Sequence, residues 1–296
     1  MKKIILVLFV LVFASSLIAN DKLIKIFSQA EQTGNVMDLM KDKEYRDAVD
    51  DGGRTALMYA TSKGQVKIVN AILKALVAYK GDINVLDKDG RSALYYAVAD
   101  GNADIVKSLI ANGAEVNIVD KEGITPLLYA AFKKHKNVFP LLIEAGADLN
   151  AKEKNQGNTA LITALATGKG DGKIGLMLVE AGADVTIKNS QGIDAFLAAA
   201  WKGKIDVLNA IIEGDKKRKV KVANPNAKDK QGNSVLIYAV QSKKIDVVKT
   251  ILDMGADPTY KDSNGKIARS YANHLKLWDI KEMLVQAEAD WAKKNK

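Results

Sequence analysis

A phrase of eight residues recurs seven times along this chain, at intervals of 33 to 40 residues. Two well-kept copies read G-R-S-A-L-Y-Y-A and G-N-S-V-L-I-Y-A. A supersecondary unit repeated at such a period cannot bury its apolar face alone, so neighbouring units must stack on one another. The recurrence therefore predicts a solenoid, a fold that generally offers a surface for holding another molecule. The copies begin at Gly53, Gly90, Gly123, Gly157, Gly192, Gly232 and Gly265.

Each repeat carries the signals of two helices and a tight turn. Residues 87–90 (D-K-D-G) supply turn chemistry, and Ser92 is a suitable N-cap for a short first helix that Gly101 ends. Apolar residues between positions 105 and 110 have the spacing of a buried helical stripe, which Gly113 terminates. The chain is therefore predicted to be all-α, with about seven helix-turn-helix units and capping ends.

The repeated phrases resemble a known family. G-I-T-P-L-L-Y-A-A at Gly123 and the G-A-D triplets at Gly146, Gly182 and Gly255 are similar to those of the ankyrin repeat, which is about 33 residues long. The similarity covers residues 21–284 and recurs over seven repeats, which makes it specific. The resemblance implies an ankyrin-repeat solenoid that binds a protein partner through its concave face and loop tips. It implies no cofactor, and we expect a monomer.

By this resemblance, the partner-binding residues lie at the loop tips and on the exposed side of the first helices. Phe132 and Trp201 stand out among them, because large aromatic side chains dominate interface energetics. The alternative role for both is to cover the neighbouring helix. The loop-tip residues are Lys88, Asp89, Arg91, Lys121, Glu122, Ile124, Asn158 and Ile193, and the helix residues are Asp100, Phe132, Lys133, Trp201, Lys202 and Gln241.

The chain departs from the family pattern after T-P-L. The family's histidine there would bond neighbouring loops, and an apolar residue or tyrosine replaces it in this chain, so loop rigidity must have another source. The next position is tyrosine in five repeats. This row predicts a packed core, which we favour, or a binding strip; its members are Tyr59, Tyr96, Tyr129, Tyr238 and Tyr271.

Catalytic and metal-binding patterns are scarce. The chain has no cysteine, and neither His135 nor His274 has a second histidine at helical spacing for a metal. The net charge of +9 comes mostly from lysines interspersed with acids, whereas a nucleic-acid footprint would cluster arginine and aromatic residues. We therefore expect no enzyme activity, no metal, no cofactor and no nucleic-acid partner.

The first nineteen residues are typical of a secretory signal. Lys2 and Lys3 precede an apolar run over residues 4–13, and small residues follow. The alternative is an uncleaved anchor, but residues 4–19 are fewer than the roughly 20 needed to cross a bilayer as a helix. The predicted domains are a signal peptide (1–19), an ankyrin repeat domain (20–288) and a polar C-terminal tail (289–296). The protein is then periplasmic or secreted, with membrane contact only through an uncleaved N-terminal segment.

Two long intervals predict where extra residues lie. Four extra residues near positions 76–80 add one turn to a second helix, and seven after Ile212 form a projecting loop. The loop contains the basic run 216–221, which predicts a solvated segment or a contact for an acidic partner, anionic lipid or polyanion. The predicted function is an exported protein-interaction scaffold. A periplasmic companion that stabilises an envelope enzyme and a secreted factor that binds host proteins remain alternatives.

Overall fold

Helices account for the regular structure of the chain. The computed structural model describes residues 21–166, 172–218 and 222–295, and within these ranges it contains seventeen helices and no strand. Two isolated β-bridges join Val49 to Thr55 and Lys228 to Ser234 within single loops. The chain divides into two compact units, residues 1–148 and 149–296. The predicted all-α fold of helix-turn-helix repeats is confirmed.

The first unit begins with three helices and continues with three helix pairs. Neighbouring pairs pack through their first helices, α4 on α6 and α6 on α8. The opening helices are α1 (Asp21–Thr33), α2 (Met37–Lys41) and α3 (Lys43–Arg46); the pairs are α4 (Ala56–Ser62) with α5 (Val66–Ala78), α6 (Ala93–Asp100) with α7 (Ala103–Ala111), and α8 (Pro126–Lys133) with α9 (Phe139–Glu144).

The second unit consists of four helix pairs, again packed through their first helices: α10 on α12, α12 on α14 and α14 on α16. The pairs are α10 (Ala160–Ala166) with α11 (Lys173–Glu180), α12 (Ala195–Trp201) with α13 (Ile205–Arg218), α14 (Val235–Gln241) with α15 (Ile245–Asp253), and α16 (Ala268–His274) with α17 (Trp278–Lys294).

Side-chain caps determine where the first helices begin. Thr55, Ser92, Thr125, Asp194 and Ser234 each accept a hydrogen bond from the backbone N–H three residues later. Each bond satisfies one of the four N–H groups that lack a partner within the helix. The predicted cap at Ser92 is therefore confirmed, and the same device starts first helices in both units.

The first helices are buried on nearly all sides because alanine keeps them thin. In α12, residues 195–200 all lie in the interior, and Trp201 at the C-terminal end is half-buried. The second helices instead bury one stripe, as with Val247, Val248 and Ile251 of α15. The first helices thus form the core between pairs, and the second helices close one side of it.

The long intervals lengthen second helices. Helix α5 has 13 residues where α7 has 9, so the predicted extra turn is confirmed. Helix α13 runs for 14 residues to Arg218, so the predicted loop after Ile212 is wrong over residues 213–218. Lysine, arginine and glutamate are good helix formers, and no proline interrupts this stretch. Residues 219–221 of the basic run lie outside the described residues.

The ends of the chain extend the repeats. Helices α1 and α2 lie where the sequence predicts the N-terminal capping end. Helix α17 continues to Lys294, so residues 289–294 of the predicted polar tail are helical. The predicted signal, residues 1–19, lies outside the described residues. Among the described helices, none is long and apolar enough to cross a membrane.

Candidate protein-binding surface

A polar side chain shapes the loop tips from within, and in most repeats it is an aspartate. Asp87 Oδ1 accepts hydrogen bonds from the backbone N–H groups of Asp89, at 2.8 Å, and Arg91, at 2.9 Å. These bonds close the turn and leave the side chains of Lys88 and Asp89 exposed. The same pair of bonds, to the second and fourth residues after the acceptor, occurs at Asp50, Asp120, Asn189 and Asp262.

The other oxygen of the aspartate binds a tyrosine in four repeats. The Tyr96 hydroxyl donates to Asp87 Oδ2 at 2.6 Å, and the Tyr238 hydroxyl donates to Asp229 Oδ2 at 2.6 Å. Each bond ties a loop tip to the first helix of its own repeat, and supplies the loop rigidity that the family's missing histidine would give. The pairs, all nine residues apart, are Asp50–Tyr59, Asp87–Tyr96, Asp229–Tyr238 and Asp262–Tyr271.

The protonation of these pairs follows from their contacts. Burial, together with the hydrogen bond to Asp87, raises the pKa of Tyr96 to about 12. Burial alone would raise the pKa of Asp50, but hydrogen bonds from Tyr59 and Arg54 outweigh it and hold that pKa below its ordinary value. Tyr96 therefore stays a neutral donor and Asp50 an anionic acceptor, and a hydrogen bond to a charged acceptor is the stronger form.

At alkaline pH, the difference in free energy of unfolding between wild-type and Tyr96→Phe is expected to shrink. Free tyrosine has a pKa of about 10, whereas the pKa of Tyr96 in the folded chain is raised to about 12. Between these values the unfolded chain releases a proton that the folded chain retains, so the free energy of unfolding falls as pH rises. Phenylalanine has no such proton. Urea titrations at about pH 8 and about pH 11 measure the effect; an equal difference between the two proteins at both values would contradict it.

Backbone hydrogen bonds join consecutive loop tips within each unit. In the first unit, Lys88 N–H donates to Gly52 O at 2.7 Å and Lys121 N–H to Asp89 O at 2.9 Å. In the second unit, the corresponding bonds run from Ser190 to Gln156 and from Lys230 to Gln191. The tips therefore follow one another in fixed register within a unit. This register places the predicted loop residues of one unit along one edge.

The structure places the predicted binding residues at three levels of exposure. Ile193 is 4% exposed, so its assignment as a contact residue is wrong: burial of an aliphatic side chain is favourable, and the turn folds it inward. The exposed residues are Lys88, Asp89, Asp100, Lys121, Glu122, Phe132 and Lys133; the half-buried ones are Arg91, Ile124, Asn158, Trp201, Lys202 and Gln241.

In the first unit, three of these side chains form a continuous cluster with two neighbouring tyrosines. We call this cluster the aromatic surface; its members are Arg91, Tyr95, Tyr129, Phe132 and Lys133. The Tyr95 and Tyr129 ring centroids lie 4.7 Å apart, and those of Tyr129 and Phe132 lie 6.3 Å apart. Arg91 Cζ lies 5.2 Å from the Tyr95 ring centroid, and Lys133 Nζ lies 5.7 Å from that of Tyr129. Phe132 is 59% exposed. The sequence predicted three members as partner contacts and offered Tyr129 only within an alternative binding strip. It missed Tyr95, which is 6% exposed and supports the cluster from within.

Tyr129 explains why the cluster forms in this repeat. It lies nine residues after Asp120, as in the bonded pairs, yet its ring packs between Tyr95 and Phe132. Asp120 Oδ2 instead faces Arg91, with 3.9 Å to Nε. The arginine from the preceding repeat thus takes the place of the tyrosine beside the carboxylate.

Trp201 belongs to a different arrangement in the second unit. Its ring centroid lies 5.4 Å from that of Tyr238, and Lys202 Nζ lies 3.9 Å from the Trp201 centroid. The indole is half-buried between these two side chains. It therefore covers Tyr238 of the next first helix, whereas Phe132 projects from its cluster.

Charged groups in the described ranges do not gather into a metal site: no group of three or more histidine, aspartate or glutamate residues there could hold an ion. His135 has a structural contact instead, since its Nε2 lies 3.1 Å from Ala99 O. The chemistry on this surface is therefore that of aromatic, cationic and hydrogen-bonding contacts.

Comparisons with known proteins identify the type of repeat. A family model described as ankyrin repeats (3 copies) matches residues 70–153, 112–189 and 165–262. The crystal structure of the human ASB11 ankyrin repeat domain is similar, with 20% sequence identity and a TM-score of 0.61; the match covers 79% of this chain and 98% of that one. A search of curated proteins finds no match. At this identity the structural likeness is one of fold.

Proposed function

Because the chain belongs to the ankyrin repeat family, we propose that it is an exported protein-interaction scaffold whose partner binds the aromatic surface of the first unit. Ankyrin repeats generally mediate protein–protein interaction, and the fold is typically a non-catalytic scaffold. The observation that carries the choice of surface is Phe132, which leaves 59% of its area exposed at the end of three contacting rings.

The aromatic surface has the features of an interface centre. Aromatic and arginine side chains account for much of the energy of protein interfaces. Here the Tyr129 ring packs against Phe132 and is itself backed by Tyr95, which limits the side-chain freedom that Phe132 loses on binding. Arg91 and Lys133 flank the rings with positive charge. The complementary partner surface is an apolar pocket bordered by acidic groups.

Phe132→Ala is expected to weaken partner binding about tenfold or more, because truncation removes the exposed centre of the cluster. Thermal stability should change little, since the lost side chain is mostly exposed. The test is affinity capture of the partner with the full chain as bait, identification by mass spectrometry, and titration of the purified partner by calorimetry.

Val77→Ala is the matched control for this variant. Val77 is an apolar residue of the same unit, 55% exposed, on second helix α5 rather than on the aromatic surface. Its substitution should leave the affinity unchanged. A partner that binds Phe132→Ala as tightly as wild-type uses another surface, and this part of the proposal is then wrong.

Export is the second part of the proposal, supported by the signal-like pattern of residues 1–19. Cell fractionation followed by intact-mass measurement tests it. We expect the protein outside the cytoplasm, with a mass that lacks the signal residues. Full-length protein in the cytoplasmic fraction would contradict export without affecting the proposed binding surface.

A further inference from the structure

One position in each repeat differs in chemistry between the two units: the residue directly before the turn acid or amide. In the second unit it is lysine in every repeat, and all four side chains are exposed: Lys152, Lys188, Lys228 and Lys261. We infer that this lysine row binds an extended acidic segment of a protein. The inference rests on the proposed scaffold function and adds a second contact with its own chemistry.

The fold does not require lysine at this position. In the first unit the same position holds Val49, Leu86 and Val119, which are 39%, 45% and 47% exposed. The wider charge follows the same division. Residues 149–296 contain 25 lysines and arginines against 17 acids, an excess of 8, whereas residues 1–148 contain 19 against 18. The lysine row is therefore a property of the second unit rather than of the repeat.

Contacts along the row show that the lysines follow one another along one edge. Lys152 Nζ donates to Lys188 O in the next repeat at 2.9 Å. The adjacent loop tips are joined by the bond from Lys230 N–H to Gln191 O. Lys228 Nζ lies over the ring of Tyr260, 5.3 Å from its centroid, just before Lys261. A linear ligand can therefore meet the ammonium groups in sequence.

The acids that directly follow two of these lysines form no ion pair with them. Asp229 and Asp262, which directly follow Lys228 and Lys261, are 5% and 6% exposed. Their oxygens accept hydrogen bonds from backbone N–H groups and from tyrosine hydroxyls. Within the described ranges, no ion pair joins any lysine of the row to a carboxylate. The exposed ammonium groups of the row can therefore contact a ligand.

Carboxylates of a protein segment fit the row better than phosphates do. Arginine, whose planar fork matches phosphate, accounts for two of the 25 basic residues of this unit, Arg218 and Arg269. Single-stranded nucleic acid needs exposed rings for stacking, and Tyr260 is half-buried beneath Lys228. A membrane surface is met by a broad basic patch rather than a single row. An extended peptide presents side chains at regular spacing to one side, which suits single charges in line.

The test uses the full chain and a fluorescent glutamate-rich peptide at low salt, followed by fluorescence anisotropy. The row variant replaces Lys152, Lys188, Lys228 and Lys261 with glutamine. The control variant replaces the exposed lysines Lys173, Lys249, Lys293 and Lys294, which lie on second helices, and removes the same charge. We expect the row variant to bind the peptide about tenfold more weakly and the control variant about threefold more weakly at most.

Equal losses in the two variants would overturn the inference, because the binding would then reflect overall charge. So would equally tight binding of a peptide with glutamine in place of glutamate. A row variant that loses binding to a single-stranded oligonucleotide or to phosphatidylglycerol vesicles, but not to the peptide, would also overturn it. Phe132→Ala should leave peptide binding unchanged, so a failure of the lysine row is distinguishable from a failure of the aromatic surface.

Discussion

Replacing Asp229 with alanine is expected to lower the free energy of unfolding of the second unit by about 4 kcal/mol. The carboxylate is 5% exposed and accepts three hydrogen bonds. They come from Asn233 N–H at 2.8 Å, Asn233 Nδ2 at 2.9 Å and the Tyr238 hydroxyl at 2.6 Å. Alanine would leave these donors in a buried loop without the acceptor, and each orphaned donor costs about 1–3 kcal/mol.

Tyr238→Phe separates the tyrosine bond from the rest of this effect. It removes one donor and leaves Asp229 with its two bonds to Asn233, so we expect a loss of about 1 kcal/mol. In the double variant no hydroxyl is orphaned, so its loss should be smaller than the sum of the two single losses. Additive losses would show that the tyrosine–aspartate bond contributes nothing to stability.

Asn189→Ala is the matched control for the loop. Asn189 occupies the same place in its repeat and accepts from the backbone of Gln191 and Ile193, but Ala198 stands where the tyrosine would be. We expect about half the loss seen for Asp229→Ala. Hydrogen exchange of the amides in α12 and α14 measures both losses locally, because each repeat of such an array contacts only its neighbours and proteins open in local segments.

Local rules predicted much of the fold from the sequence. The caps, glycine helix ends and buried stripes act over a few residues, so Ser92 and the extra turn of α5 were predictable. The aspartate–tyrosine spacing of nine residues was also present in the sequence, but an apolar role was sufficient to explain the tyrosines. The prediction of a loop after Ile212 was wrong because the number of extra residues alone does not distinguish a loop from a longer helix.

The two surfaces could not be predicted in the same way, because they depend on which side chains of neighbouring repeats contact one another. Asp120 and Tyr129 have the same spacing as the bonded pairs, yet Tyr129 packs against Tyr95 and Arg91 of the preceding repeat lies beside Asp120. The lysine row was equally hidden. Its positions could be aligned by eye, but the exposure of its side chains and the burial of Asp229 became apparent only from the structure.

Gly101→Ala is expected to destabilise the first unit by about 3 kcal/mol, mainly because the His135 ring packs against Gly101. Gly101 has a φ of 71°, which costs alanine about 1–2 kcal/mol. A Cβ there would also lie 2.6 Å from His135 Nδ1. The imidazole would have to leave its contact with Ala99 O, and Asn137 Nδ2, which donates to Gly101 O at 2.7 Å, would move with it.

Gly64→Ala provides the comparison, since Gly64 ends the preceding first helix with a φ of 64°. Its nearest atom would be Asp100 Oδ2 at 3.4 Å, an ordinary contact, so the loss should be about 1 kcal/mol. Urea unfolding of both variants gives the difference between their losses in free energy of unfolding, which is the share due to His135. Adding His135→Ala to Gly101→Ala should recover most of that share. Equal losses would mean that the imidazole adapts freely. Because His135 follows the end of α8, where Phe132 and Lys133 lie, Gly101→Ala should also weaken partner binding without removing any residue of the aromatic surface.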